Sequence, residues 1–168
     1  VAANEANPES SSTSDSGIDD SSSGSPASST AKTRSYSYGN QGEQAEYRKA
    51  LAMVRDGQFE EAAVSFNAFL ETFPDSSYAD NASYWIGETY YVIRDFEPAL
   101  ETFTGLVEEF PDSPKVPDTR LKIGYIYYEQ QNWSAAREEL RSIVSAYPDT
   151  EVAQLANARL KRMEDEAH

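Results

Sequence analysis

The sequence predicts an all-α solenoid: three helix-turn-helix repeats with a 37-residue period, a terminal capping helix, and a serine-rich tail ahead of them. Three observations carry that expectation. The triplets Phe73-Pro74-Asp75, Phe110-Pro111-Asp112 and Tyr147-Pro148-Asp149 recur at a fixed step of 37 residues. The same step relates Phe59, Phe96 and Trp133, then Ala62, Ala99 and Ala136, Phe66, Phe103 and Leu140, and Leu70, Val107 and Val144. Residue class is copied along with punctuation, which is the mark of stacked supersecondary units. Within a copy, apolar residues return every three or four positions, as in Phe59, Ala62, Ala63, Phe66, Phe69 and Leu70, so each unit is helical with one buried stripe.

Residues 1–42 differ in kind from the rest. They are almost entirely Ser, Ala, Gly, Pro, Asn and Asp, with Ile18 the only strong aliphatic besides Val1. Such a stretch buries too little apolar surface to offset chain entropy, and a disordered linker is expected. Residues 43–168 hold the folded part, with repeats at about 43–75, 76–112 and 113–149 and a cap helix over 150–166.

Taken in order, helices are expected near Glu43 to Asp56, Phe59 to Thr72, Tyr78 to Ile93, Glu97 to Glu109, Pro117 to Gln130, Ser134 to Ala146 and Glu151 to Glu164. Proline after the aromatic stops each second helix, because it lacks an amide donor and biases the residue before it away from helix. Asp75-Ser76, Asp112-Ser113 and Asp149-Thr150 then offer side-chain caps to the next helix. Pro98 and Pro114 suit first helical turns, whereas Pro117 is expected to delay the start of the third repeat's first helix. Ala62, Ala99, Ala136, Gly87 and Gly124 let paired helices approach closely. Repeat one carries Ala50 and Lys49 where its successors have Gly and an aliphatic, so its first helix is expected to fray. In the last helix, Val152, Leu155, Ala156, Arg159 and Leu160 are expected to face the third repeat.

Composition narrows the function. The formal net charge of −15 repels a phosphate backbone, which argues against nucleic acid. Without cysteine this chain has no disulfide or thiolate metal site, and no apolar run is long enough to span a membrane. Catalysis is not expected: the single histidine is His168 at the end of the sequence, and no Gly-rich phosphate loop or metal-ligand cluster is present. The acid pairs Glu60-Glu61, Glu108-Glu109 and Glu138-Glu139 diverge by about 100 degrees on a helix and form no catalytic dyad. No cofactor is expected. A chain that begins at Val1 is a mature product or an excised fragment.

Trp85-Ile86-Gly87, Tyr90, Ala99, Phe103 and Pro111, repeated as Ile123-Gly124, Tyr127, Ala136 and Pro148, resemble the tetratricopeptide (TPR) pattern. The longer step, the aromatic-Pro-Asp-Ser/Thr punctuation and the Asn81-Ala82-Ser83-Tyr84-Trp85-Ile86-Gly87 stretch resemble the periplasmic Tol-Pal family of YbgF, or CpoB, from roughly Glu43 onward. That resemblance implies a periplasmic, non-catalytic adaptor whose amino-terminal coiled coil trimerises. It implies TolA as partner, and coordination of a class A penicillin-binding peptidoglycan synthase with outer-membrane constriction during cell division. A lipoprotein TPR scaffold of outer-membrane protein assembly shares similar Pro-Asp-Ser punctuation and is the alternative. The sequence shown here has no heptad run, so on its own it is expected to be monomeric.

In stacked helix pairs the first helices line the concave side. The candidate binding groove is therefore Tyr47, Leu51, Tyr84, Glu88, Tyr91, Tyr125 and Tyr128, with intra-repeat packing of the tyrosines the competing explanation. Glu88 and Glu129 would favour a lysine-rich helix in that groove. Lys, Arg and Asn, which a carboxylate clamp would need there, are not at those positions.

Overall fold

The computed structural model describes residues 41–167. The serine-rich tail through residue 40 and His168 lie outside the described residues. Among the described residues there are seven helices and no strand: α1 (Gln41–Arg55), α2 (Phe59–Thr72), α3 (Ala79–Val92), α4 (Phe96–Glu109), α5 (Val116–Glu129), α6 (Trp133–Ala146) and α7 (Glu151–Asp165). Consecutive helices pack on one another, and α7 also touches α5. Gln41 and Gly42, read from the sequence as the end of the linker, open α1.

The core runs through the stack as three apolar clusters. Tyr47, Ala50, Phe66, Phe69, Ala82 and Ile86 form the first; Ala99, Phe103, Ile123 and Ile126 the second; Leu121, Ala136, Leu140, Ile143, Ala156 and Met163 the third. Each of the first two clusters takes residues from two successive repeats, so one repeat cannot close its core without the next. Ala62, Ala99 and Ala136 are fully buried, as close helix approach requires. A Cβ on Gly87 would lie 2.3 Å from Phe103 Cε1, and one on Gly124 2.9 Å from Leu140 Cδ2. Repeat one manages with Ala50, fully buried, and α1 is one continuous helix rather than a frayed one.

Every turn inside a repeat is built the same way. Gly57, Arg94 and Gln131 hold φ of 75, 63 and 60 degrees, the left-handed conformation. The amides one residue later donate back to Met53, Tyr90 and Tyr127 carbonyls at 2.9, 2.9 and 2.8 Å. This is the Schellman ending, which satisfies carbonyls that a helix terminus would leave open. Only the first repeat supplies glycine, the residue that adopts this conformation without a steric penalty.

The link between repeats corrects the expected caps. Ser76 and Ser113 do not cap α3 and α5, which begin three residues later. Their hydroxyls accept from the amides of Tyr78 and Lys115 at 2.9 and 3.1 Å, a local serine turn. The same hydroxyls donate backward, Ser76 to Glu43 and Ser113 to Asp80 at 2.5 Å. Glu43 and Asp80 are one repeat step apart, and the next position in that series is Pro117. With no carboxylate there, Thr150 does what the sequence predicts: it caps α7 by accepting from Ala153 N at 3.2 Å. Pro117 itself sits in the first turn of α5 and delays nothing, since the helix starts at Val116; Pro114 stays in the turn before it. Proline is tolerated there because first-turn amides have no intrahelical partner.

On α7 the buried residues are Ala153, Ala156 and Met163, whereas Leu155, expected in the core, is 43% exposed.

Candidate protein-binding strip on the first helices

A strip runs along α1, α3 and α5. Tyr84, Glu88 and Tyr91 stand on one face of α3 at helical spacing; Leu121, Tyr125 and Tyr128 repeat them on α5, and Tyr47, Leu51 and Val54 precede them on α1. The strip is not an open row of tyrosines. Lys122 of α5 donates to Glu88 Oε2 at 2.8 Å and lies 4.9 Å from the centre of the Tyr91 ring. One repeat later Arg159 of α7 lies 4.4 Å from the Tyr125 ring and 4.5 Å from Tyr128. Lys122 and Arg159 are one repeat step apart, so the second and third junctions each seat a cation from the following unit on tyrosine of the preceding one. At the first junction the corresponding residue is Trp85, which packs with Leu51 and Val54 on the first cluster. Repeat packing and the candidate strip are therefore made from the same side chains.

The nominated residues divide accordingly. Tyr47 is a core residue: it stacks on Tyr78 at 4.8 Å and meets Phe66 edge-on at 5.7 Å, because Phe66 and Phe69 of α2 lie directly beneath it. Tyr84 is half-buried against Phe103, 5.9 Å between ring centres. Tyr125 and Tyr128 lie under α7, and Tyr128 donates to Glu166 Oε2 at 2.5 Å. Leu51, Glu88 and Tyr91 remain half-buried along the strip. Glu129, expected to draw a basic partner, is already engaged by Arg94 Nη2 at 2.9 Å.

Electrostatics report the same enclosure. Burial pushes the Tyr84 phenol far above its ordinary value, reinforced by the nearby Glu88 and Asp118 charges. Burial also raises Tyr91, with Glu129 adding to it, and Tyr125, where the Arg159 charge opposes the rise. For Tyr128 the hydrogen bond to Glu166 is the leading cause of its upward shift. All of these phenols stay neutral donors at any physiological pH.

Sequence reasoning missed the exposed hydrophobics. Val64, Val92, Ile93 and Leu155 are 70, 50, 37 and 43% exposed. The signal was available in the repeat register. Val64 aligns with Glu101 and Glu138, Val92 with Arg55 and Glu129, Ile93 with Asp56 and Gln130, and Leu155 with Gln44, Asn81 and Asp118. Each is an apolar residue where the other copies are polar, which is the informative kind of surface hydrophobe. Val92 lies next to Tyr91 and so borders the strip.

Among the described residues, no group of three or more His, Cys, Asp or Glu side chains could hold a metal ion. No helix among them is long and apolar enough to cross a membrane.

Comparison with known proteins agrees with the helical-repeat fold. A cell division coordinator CpoB of Pseudomonas putida is 45% identical over 42 residues, which are 25% of this chain and 16% of that protein. The chain thus matches only a small part of its relative's length. A tetratricopeptide repeat protein from Parabacteroides merdae superposes with a TM-score of 0.62 at 19% identity, over 77% of this chain and 48% of that one. PcrH in complex with the chaperone binding region of PopD gives 0.63 at 14% identity, over 80% and 99%. The fold is therefore TPR-like. Over residues 27–166 the sequence matches the YfiO model, described as outer membrane lipoprotein, and the chain belongs to that family.

Proposed function

We propose that this chain is the TPR part of a periplasmic, non-catalytic adaptor that acts in cell division with the Tol-Pal system. In this reading it binds TolA, and through a class A penicillin-binding synthase it helps time peptidoglycan synthesis with outer-membrane constriction. The observation that carries the reading is the 45% identity to CpoB over 42 residues. The contact surface is the part of the strip that α7 leaves open: Leu51, Glu88, Tyr91 and the bordering Val92, with the edge of Tyr84. Half-buried aromatics with aliphatic neighbours suit an amphipathic helix laid along a groove. Tyr125 and Tyr128 contribute through the shape they give α7 more than through direct contact. Trimerisation of the whole protein is assigned to residues beyond this chain, which by itself is a monomer.

Calorimetric titration with the periplasmic part of TolA tests this. Wild-type chain binds, and Val92→Glu and Leu51→Glu variants of unchanged helicity bind at least tenfold more weakly. Undiminished binding by both variants removes the strip from the interface, and absence of wild-type binding removes TolA. A second reading, a scaffold in outer-membrane protein assembly, is favoured by the family match over residues 27–166. Retention of assembly-machine subunits rather than TolA on the immobilised chain would select it.

A further inference from the structure

Inside the array, the second helix of one repeat lies on the helix pair that follows. Leu70 and Pro74 of the first repeat meet Ser83 and Phe110 of the α3/α4 pair, and the space left there is about 170 Å³. One repeat on, Val107 and Pro111 take the same places beside Arg120 and Tyr147, leaving about 350 Å³. The α1/α2 pair has the corresponding face, with Glu46 and Phe73 at those positions, but the cleft on it measures about 770 Å³ and no second helix lies in it among the described residues. The first repeat has also changed the lining. Met53 stands where later copies have Tyr90 and Tyr127, and Val64 where they have Glu101 and Glu138. Those two glutamates are exposed, so Val64, itself 70% exposed, widens the apolar floor beyond that of an interior junction. Glu46, Glu60 and Glu61 rim the cleft against one cation, Lys49, which already lies 3.7 Å from Glu46.

We propose that this cleft is a second protein-docking site, separate from the strip, and that its occupant is an amphipathic helix of another protein whose aliphatic stripe is flanked by lysine or arginine. The repeats supply the shape: what fills the same face twice within the array is a helix presenting an aliphatic residue, Leu70 or Val107. The rim supplies the sign, since three carboxylates against one lysine favour a basic flank. The lining supplies the tolerance. Methionine is unbranched and polarizable and moulds to side chains of varied shape. Valine in place of an exposed glutamate does nothing for a face left in water, but adds buried apolar area beneath a partner. A second copy of this chain offers no such helix in register, because Val144, the equivalent of Leu70 and Val107, is packed into the cluster that α7 closes.

The chain has two methionines, Met53 in the cleft and Met163 fully buried in the third cluster, so methionine-methyl NMR on the whole chain carries one reporter and one internal control. The titrants are a helical peptide with leucine on one face and lysine on the other, and its counterpart with glutamate for lysine. The lysine peptide should move the Met53 signal to saturation and leave Met163 fixed, and the glutamate peptide should bind at least tenfold more weakly. Val64→Glu, which puts on α2 the residue that α4 and α6 carry, should weaken the lysine peptide at least tenfold even though it adds a negative charge. Val92→Glu, on the strip, should leave the Met53 titration unchanged, which separates this site from the TolA reading. A Met53 signal that the lysine peptide does not move overturns the proposal. Equal binding of the two peptides, equal binding by wild type and Val64→Glu, or a loss shared by Val92→Glu overturns it as well. So does a Met53 signal that moves with the concentration of the chain alone, because a second copy then fills the cleft.

Discussion

Gly87→Ala isolates the close contact on which the α3/α4 pair depends. The added methyl would sit 2.3, 2.6 and 2.7 Å from three atoms of the Phe103 ring, well inside ordinary carbon contact. Phe103 is fully buried, and α3 is held by α2 on one side and α4 on the other, so neither ring nor helix can simply step aside. Overpacking of a close-packed core costs about 1–3 kcal/mol, and a contact this short belongs at the upper end. Alanine returns about 1 kcal/mol of helix propensity. The net expectation is a loss of about 2 kcal/mol, a fall in melting temperature of roughly 6–10 °C for a domain of this size. Ala50 shows why the site, and not the residue, decides: α1 has no described helix on its outer side and can sit back from Phe66. Urea denaturation followed by circular dichroism measures the effect. Gly124→Ala should cost less, since its methyl meets the rotatable end of Leu140. In Gly87→Ala/Phe103→Leu the smaller side chain should recover at least about 1 kcal/mol relative to additivity. A Gly87→Ala protein as stable as wild type would refute the reasoning.

Three further outcomes follow from the same structure. Gly57→Ala, where no atom lies within 4 Å of the new methyl, should destabilise by about 1 kcal/mol through the left-handed backbone alone, and Gln131→Gly should stabilise by up to about that much; equal signs in thermal melts would contradict this. The tyrosine phenols of Tyr84, Tyr91 and Tyr125 titrate above their ordinary value in the folded chain, so their contribution is intact below pH 10 and is lost as pH climbs beyond it. The slope is about 1.4 kcal/mol per pH unit for each lagging phenol, and Tyr84→Phe should flatten it in pH-dependent urea melts. Asp80→Ala removes the acceptor of the Ser113 hydroxyl and should lower stability by about 1 kcal/mol, whereas Asp112→Ala, on an exposed turn beside it, should leave the urea midpoint within error.

Period and punctuation made the helices legible, because an aromatic-proline pair stops a helix by local chemistry that needs no tertiary partner. The closest helix contacts were legible for a similar reason: a small residue kept in register has few other uses. The turns were not. Gly57 advertises a left-handed residue, but Arg94 and Gln131 adopt the same conformation because the flanking helices impose it. The serine links were misread as caps since a hydroxyl near a helix start can accept locally or donate across a repeat. Only the carboxylate at Glu43 or Asp80 decides which. The strip was half legible. Tyrosine spacing identified the face, while the cations that occupy it, Lys122 and Arg159, lie one repeat downstream and become neighbours only through stacking.

The backward link from serine to carboxylate also works as a rule of succession. Glu43 and Asp80 each receive the hydroxyl of the unit that follows, so any unit carrying the acid can be followed by another. Pro117 offers no acceptor, and Thr150 turns its oxygen to starting α7 instead. The array is thus extensible in its interior and closed at its end. A further copy of residues 76–112 inserted before Ser113 would find both of its junctions already written, whereas the same copy placed after Asp149 would have no carboxylate behind it.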